Sequence, residues 1–503
     1  MKLKSLLTGV VVLASGAGLA FYATQASDVE YSVVKPQLVA PEGGTQALAC
    51  SDGLHRLVEG GTPIENVDQQ ISGWAGILYV PSTPNETAPK LAWTPFNQRD
   101  IGFENGVIKP AHVPGNALGT PTLDGSVLLE RNGEGIGNLM GTSMHRAYAG
   151  DLRGLASNPC QWSDNSTWLV GSNGTVGTSN RLTVTNPGVH PIQVNIDAFT
   201  SVGKAELGAN KYINIAPKSS KSLALDGIVP SDPRIALHLS ADSGTFTASL
   251  QTSQLEGYKP KGVDFIKPGV SGRKVLVNGL HLPAGKNGPD PVIEAQVSNQ
   301  SELVDPHYKA SLRIANAENS IRTVSIKVMN HDGELSPLPG GENITIAPSA
   351  VLDLNLDGLK PGDYSVVVDA DGEVSAGALV TSNTDSGESD GEWLAARPAF
   401  NNGGAAIGNM QGRLIITASA DTTATWTAFK EDGSKIESHD VSVHGIQGID
   451  LPGGTAYVTL AAGDSVYASV AAQIDISGVA GIDWIPLTSN TFDSSSVRIS
   501  TRN

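Results

Sequence analysis

Basic residues are in short supply in this sequence. Lysine and arginine number 33 against 50 aspartates and glutamates, which gives a formal net charge of −17. A nucleic-acid partner requires a basic surface that replaces phosphate counterions, and a polybasic contact with an anionic membrane requires the same. The shortage therefore excludes both kinds of partner and favours an acidic, soluble surface.

Cysteine is almost absent, with only Cys50 and Cys160 in 503 residues. Neither belongs to a Cys-x-x-Cys pair or has a histidine at ligand spacing, and the histidines form no metal-binding motif. An even number of cysteines in an exported chain predicts a disulfide, the alternative being two buried free thiols. The sequence thus predicts a Cys50–Cys160 disulfide, no metal site and no cofactor.

Long apolar runs are lacking after the N-terminus. There, Lys2 and Lys4 precede a stretch without charge from Ser5 to Ala26. This is the pattern of a signal peptide, but the stretch is also nearly long enough to span a bilayer, which takes about 20 residues. Residues 1–27 are therefore predicted to be a cleaved signal peptide or an anchor helix. Everything that follows is predicted to lie outside the membrane, which the chain touches through this segment only.

Helical periodicity is missing as well. No amphipathic run reaches three turns outside the N-terminus, whereas alternation of apolar and polar residues is common and glycine (57) and proline (29) are plentiful. One alternating run ends at Asp371-Gly372 and resumes at Glu373, which predicts a hairpin turn there. These patterns predict an all-β fold.

What the sequence does contain is internal repetition. Ile213-Asn-Ile-Ala-Pro217 recurs as Ile344-Thr-Ile-Ala-Pro348, and Leu-Asp-Gly follows at the same offset in both copies, beginning at Leu225 and Leu356. We expect the two prolines at equivalent edge or turn positions, because proline cannot donate to a sheet. We expect both leucines to be buried at matching places.

Each copy closes on glycine, an acid and an aromatic residue, and a third copy does the same. The closing aromatics are Phe265, Trp393 and Trp484, and a proline follows each. We expect each of them to complete the core of its own domain.

The repeats divide the chain into domains. Three copies occupy about 165–268, 300–398 and 405–488, with Asn401–Gly404 as a linker, and 45–160 is a divergent β domain with insertions. About 90 residues with several short strands predict tandem immunoglobulin-like β-sandwich repeats. The alternative is a β-propeller.

Several motifs carry a family resemblance. Gly150–Ala156, Pro159-Cys160, Trp168–Gly171 and Leu182–Pro187 resemble a family of uncharacterised actinobacterial cell-envelope proteins. That resemblance implies an N-terminal membrane segment, tandem β repeats and genes that often lie near a cell-wall glycosyltransferase gene. It implies no activity, because none is assigned to the family.

One motif suggests catalysis. Gly141-Thr-Ser143-Met144 resembles the nucleophile motif of subtilisin-like proteases, but His145-Arg146 stands where that motif continues with alanine and proline. The upstream aspartate and histidine motifs that such a serine requires are also missing. We therefore expect no enzyme, and Ser143 to be a strand or turn residue.

Three tryptophans are the best candidates for ligand binding. Trp93, Trp162 and Trp168 lie in or beside the divergent segment, and exposed aromatic rings stack on sugars; the alternative is core packing. The sequence thus favours a non-catalytic scaffold or adaptor of the cell envelope, anchored or secreted. The alternative is a wall-polysaccharide-binding module that uses residues 45–170. The expected partners are cell-wall glycan or envelope proteins.

Overall fold

The computed structural model describes residues 38–39, 46–50, 53–54, 71–80, 90–95, 117–120, 127–132, 137–229, 231–283, 308–384, 387–489 and 497–498. The chain divides into two compact units. The smaller comprises Met1–Glu42 and Asp493–Asn503, and the larger Gly43–Phe492. The predicted N-terminal segment, 1–27, lies outside the described residues.

Most of the described residues lie in strands. In chain order these are β1 Leu38–Val39, β2 Gln46–Cys50, β3 Ile71–Val80, β4 Lys90–Pro95, β5 Ala117–Thr120, β6 Val127–Asn132, β7 Asn138–Ala147, β8 Gly154–Pro159, β9 Gln161–Trp162, β10 Ser166–Val170, β11 Thr178–Asn186, β12 Ile192–Thr200, β13 Gly203–Ala205, β14 Tyr212–Ile215, β15 Ser219–Ala224, β16 Ala236–Ala241, β17 Thr247–Glu256, β18 Lys259–Ile266, β19 Ser271–Leu282, β20 Tyr308–Asn316, β21 Arg322–Met329, β22 Leu335–Pro337, β23 Ile344–Ile346, β24 Val351–Asn355, β25 Gly362–Asn383, β26 Ser389–Ala395, β27 Phe400–Ala406, β28 Gln411–Ala418, β29 Thr422–Phe429, β30 Lys435–Val443, β31 Ile446–Asp450, β32 Tyr457–Ile476, β33 Val479–Pro486, β34 Thr488–Ser489 and β35 Val497–Arg498. A short 3₁₀ helix, Gly208–Lys211, interrupts them. The all-β prediction is confirmed. In the smaller unit, β1 pairs with β35.

One strand order occurs four times in the larger unit. The first copy (β10–β18) has sheets β10-β16-β12 and β15-β11-β17-β18. The second copy (β19–β26) repeats this as β19-β25-β21 and β24-β20-β25-β26, and the third (β27–β34) as β27-β32-β29 and β31-β28-β32-β33. The N-terminal copy (β2–β9) has β2-β6-β4 and β5-β3-β7-β8. The divergent segment therefore has the same topology as the three repeats.

The order differs from that of an immunoglobulin domain. Lettered A to G along each copy, the sheets read A-E-C and D-B-F-G. In the immunoglobulin fold, strand E lies beside B, and C beside F. The copies are thus two-sheet β structures with another strand order.

The predicted hairpin at Asp371-Gly372 is wrong. β25 runs without a turn through both residues and bends from one sheet to the other: its first half pairs with β19 and β21, its second with β20 and β26. Gly372 has no positive φ, which a two-residue hairpin turn of this type requires. A Cβ at Gly372 would instead clash with the Arg322 side chain, so the glycine here makes room for a neighbouring strand.

Two segments that the sequence pattern did not assign to any repeat nevertheless pair in the sheets. Asn401–Gly404, expected as a linker, lies within β27 and pairs with β32. Ser271–Leu282 pairs with β25 and so belongs to the second copy, although the range expected for that copy begins at 300.

The first and second copies match at the level of single hydrogen bonds. Asn186 Nδ2 donates to the backbone oxygens of His190, Ile215 and Ala216. In the second copy Asn316 Nδ2 donates in the same way to the backbone oxygens of Ser320, Ile346 and Ala347. The asparagine at this place ties strand B to the end of the following β14 or β23 segment.

The two prolines follow these bonded alanines directly. Pro217 and Pro348 each precede a residue with positive φ, Lys218 at 49° and Ser349 at 51°. Leu225 and Leu356 are both 2% exposed. The expected equivalence of the prolines and of the leucines is confirmed.

Replacing Asn316 with alanine should lower the free energy of unfolding by about 2 kcal/mol. Loss of the fully buried amide leaves three carbonyl oxygens and the Glu318 N–H without the bonds that it makes to them. Urea denaturation measures this difference. Asn319→Ala is the matched control, since that side chain accepts one bond from Ser349 Oγ. Equal losses in the two variants would contradict the role given to Asn316.

The four copies meet through their last strands. Strands β8, β18, β26 and β33 contact one another in a closed ring: β8 with β18, β18 with β26, β26 with β33, and β33 with β8. This ring brings the glycine-acid-aromatic segments of the repeats to one place.

The closing aromatics do not complete the cores of their own copies, and that expectation is wrong. Trp484 of the third copy packs in the core of the second, with Val277 and Leu280, and its Nε1 donates to Asn278 O at 2.9 Å. Trp393 of the second copy packs in the core of the first. Side chains alternate across a strand, so the face opposite a copy's own core meets the preceding copy.

The same relation continues around the ring. Phe265 of the first copy packs with Leu152 and Ala156 of the N-terminal copy. Leu155 of the N-terminal copy is in turn buried in the core of the third copy. Each copy therefore packs a side chain against its neighbour, and Phe265 does so in a small cluster separate from the core of the N-terminal copy.

Candidate functional site

The acids of the recurring glycine-acid-aromatic motif come together at the centre of the ring. Asp264 is 2%, Glu392 3% and Asp483 0% exposed, and the neighbouring Asp390 is equally buried. Buried carboxyl groups are expensive unless they are paired. These four residues, with Lys267, form what we call the ionic centre.

Lys267 provides the positive charge of the ionic centre. Its Nζ atom donates to Asp264 Oδ1 at 2.7 Å and to Asp483 Oδ1 at 2.6 Å, so it links the first copy to the third. Its side chain is 1% exposed. Burial alone would lower the pKa of this ammonium group, but the charges of Asp264 and Asp483 raise it.

The carboxylates also bind backbone N–H groups of neighbouring last strands. Asp264 Oδ2 accepts from Trp393 N at 2.7 Å. Asp390 Oδ2 accepts from Leu155 N at 3.0 Å and from Ile482 N at 3.1 Å. These bonds connect all four copies.

The ionic centre carries more acid than base. Burial raises the pKa of Asp483 to about 7, against the opposing effect of Lys267. Burial also raises the pKa of Asp390 and of Glu392 well above the usual carboxyl range, and the charge of Asp483 adds to the effect on Glu392. Because Lys267 and the three aspartates are almost fully buried, they hold strands together through charge and hydrogen bonds.

A cavity opens beside the ionic centre, between the second and third copies. Its volume is about 310 Å³, and its polar lining includes Glu392, Tyr308, Gln473, Arg413 and Asp450. Sequence reasoning missed both the centre and the cavity. The signal for the centre was the acid that recurs between apolar residues at the end of each repeat.

The predicted disulfide is present. Cys50 and Cys160 are bonded, and both are buried. The bond ties β2 to the residue between β8 and β9, close to the ring.

The three candidate tryptophans lie in different environments. Trp168 is 3% exposed and stacks on His238, with 4.8 Å between ring centroids, so it offers no ring face to a sugar. Trp162 is half-buried, and its Nε1 donates to Ser489 O at 3.1 Å. Trp93 lies on β4, and its side chain is outside the described residues. Ligand binding at Trp93 and Trp162 stays a prediction.

Ser143 lies in the middle of β7 and is 1% exposed. Its hydroxyl donates to the backbone oxygen of Asn158 at 3.5 Å. The strand position expected for it is what the structure has.

The chain matches one known protein family. Residues 119–452, more than half of the sequence, match the family of unknown function DUF5719. The chain belongs to that family. The match includes Asp264, Lys267, Asp390 and Glu392, while Asp483 lies beyond it. No curated protein matches the chain.

Among solved structures, the chain is similar to the crystal structure of Thermotoga maritima 1070. The two share 18% identity, and the match covers 25% of this chain and 91% of that one with a TM-score of 0.18. A likeness at this level supports no conclusion about function.

Neither a metal centre nor a membrane helix emerges from the part of the chain that the structure describes. There, no group of three or more histidine, cysteine, aspartate or glutamate residues could hold a metal ion. Over the same residues, no helix is long and apolar enough to cross a membrane.

Proposed function

We propose that this protein is a non-catalytic, exported scaffold or adaptor of a bacterial cell envelope. The ionic centre is the observation that supports it. One lysine and three of the four acids bond the last strands of the four copies to one another. Apolar side chains also pack between neighbouring copies. Such an assembly holds the outer loops of the copies in fixed relative positions, which is what a scaffold requires.

Export rests on two further features. The sequence of residues 1–27 has the pattern of a signal peptide or anchor, and disulfides such as Cys50–Cys160 persist mainly in oxidising compartments outside the cytoplasm. The resemblance to actinobacterial envelope proteins agrees with both. The protein would act outside the membrane, anchored or released.

Cross-linking in intact cells tests the scaffold proposal. A photoreactive residue at Tyr258 or Val202, both almost fully exposed on loops of the first copy, should capture one envelope component reproducibly. The matched control is the same residue at Phe246, which is 2% exposed and should capture nothing. Capture of cytoplasmic proteins alone, or a hydrolase activity that Ser143→Ala removes, would overturn the proposal.

A second candidate is a wall-polysaccharide-binding module using residues 45–170. The half-buried Trp162, two residues after the disulfide-bonded Cys160, favours it, because the residue is not fully enclosed in a core. Purified wall polymers should then bind the protein saturably, and Trp93→Ala or Trp162→Ala should weaken binding at least tenfold. Tyr258→Ala removes an exposed aromatic outside this region and serves as the control. Unchanged binding in both tryptophan variants would exclude this mode.

A further inference from the structure

The cavity between the second and third copies has the size of a small-ligand site. Its volume is about 310 Å³, at the lower end of the range of roughly 300–1,000 Å³ found for small-molecule pockets. The second copy contributes Glu392 and Tyr308 to the wall, and the third contributes Gln473, Arg413 and Asp450. Apolar side chains such as Ile482 and Leu451 fill the remainder of the lining.

The basic side chains that line this wall pair with aspartates and not with Glu392. Arg413 is its only side chain with a permanent positive charge among the lining residues described, and both ends of its guanidinium group are already engaged. Nε and Nη2 bond Asp363 Oδ2, at 2.8 and 2.7 Å, and Nη1 bonds Asp450 Oδ1 at 2.6 Å. Asp363 also accepts from His281 Nδ1 at 2.7 Å. The two aspartates engage the guanidinium of Arg413, which therefore does not bond Glu392.

Glu392 is the acid that the protein itself leaves without a partner. Its side chain lines the cavity and is 3% exposed, and its Oε2 atom has no hydrogen-bond partner among the described residues. The bonds of the nearby Lys267 go to Asp264 and Asp483 instead. A buried polar atom left unpaired is costly, whereas a charge-assisted bond to a ligand would satisfy it.

The hydroxyl of Tyr308 lies in the same wall and already accepts a bond from Gln473 Nε2 at 3.3 Å. A tyrosine hydroxyl retains further bonding capacity after accepting one bond. The wall therefore presents a carboxyl group, a phenol and an amide in a partly apolar space. An ammonium group, which has three N–H donors, complements the carboxyl and the phenol.

We propose that this cavity binds a small organic cation whose ammonium group bonds Glu392. Neutral polyols of the same length should bind poorly, because they bring no charge to the unpartnered acid. The site lies between two copies, so its occupant would touch both of them. A scaffold could use such a site to sense an amine without catalysing any reaction.

Calorimetry on the full-length protein tests the proposal. The probes are 1,4-diaminobutane and ethanolamine, each compared with its neutral counterpart, 1,4-butanediol or ethylene glycol. We expect saturable binding of at least one amine and at least tenfold weaker binding of its counterpart. Glu392→Gln should weaken amine binding at least tenfold, whereas Glu256→Gln, which changes an exposed acid of the first copy, should leave it unchanged.

A second measurement needs no variant. Burial raises the pKa of Glu392 well above its usual range, and an ammonium group bound beside the carboxyl should lower that pKa. Titrations in two buffers of different ionisation enthalpy should show proton release, and affinity should rise with pH. Absence of amine binding, equal binding of the diol, or binding without proton release would overturn the proposal.

Discussion

Replacing Lys267 with methionine is expected to lower the free energy of unfolding by about 3–5 kcal/mol. Among the described residues, Lys267 is the only cation that bonds Asp264 and Asp483, and the change leaves both carboxylates buried without it. Denaturant unfolding of the purified protein measures the loss. Lys261→Met is the matched control, because that lysine lies on β18, which ends just before Lys267, and pairs with the exposed Glu256, a contact worth at most about 1 kcal/mol.

The unfolding free energy lost in Lys267→Met should also depend on pH. Asp390, Glu392 and Asp483 have folded-state pKa values above those of the unfolded chain. Their neutral forms therefore favour the folded state at low pH, and that stability falls as pH rises through the folded pKa values, which for Asp483 means between about pH 4 and about pH 7. In Lys267→Met the lysine no longer stabilises the ionised carboxylates of the folded state. The loss of unfolding free energy should therefore be larger at pH 8 than at pH 4.

Removing charge from both sides should restore part of the stability. In Lys267→Met combined with Asp483→Asn, one uncompensated carboxylate disappears, and the double variant should be more stable than Lys267→Met alone. If the double variant is the less stable of the two, the ionic centre does not work through charge compensation.

Replacing Trp484 with alanine is expected to cost about 3–5 kcal/mol, as for other buried tryptophans. The loss of local stability should not be confined to the copy that carries the tryptophan. Because the ring packs with Val277 and Leu280 of the second copy, hydrogen exchange should accelerate in β19 as well as in the third copy. The experiment is amide exchange followed by mass spectrometry.

Trp426→Ala provides the comparison. This tryptophan is 5% exposed and packs within the core of its own copy, the third. A similar loss of stability is expected, with exchange accelerated first in the third copy. Unchanged protection of β19 in Trp484→Ala would show that the two copies are not coupled through this ring.

Local features of the fold could be predicted from the sequence. Alternating residues gave the all-β class, and the matching offsets of Pro217 and Pro348 gave equivalent turns, because both depend on nearby residues alone. The isolated pair Cys50 and Cys160 was enough to predict their bond, since no competing cysteine exists.

Features that depend on neighbouring copies could not be predicted in the same way. Alternation indicates that Trp393 faces away from Leu394, but it does not indicate that another copy's core lies on that side. The Asp371-Gly372 pair has the chemistry of a turn, yet β25 continues through it as one bent strand that belongs to two sheets. The ionic centre was not predicted, although the sequence contains a signal for it. An acid recurs beside each closing aromatic, and its recurrence among apolar residues could have indicated burial.

Closure of the ring has a consequence for biosynthesis. The N-terminal copy contacts the third copy through Trp74 Nε1 to Glu431 Oε1 and through Arg146 Nη2 to Gly408 O, pairs separated by 357 and 262 residues. A chain that emerges from the ribosome N-terminus first must therefore wait for its last copy before its first one is complete. Until then Met144 and Leu155 lack the third copy's core, in which they are buried in the complete structure. Protection by a chaperone during this interval would favour correct assembly.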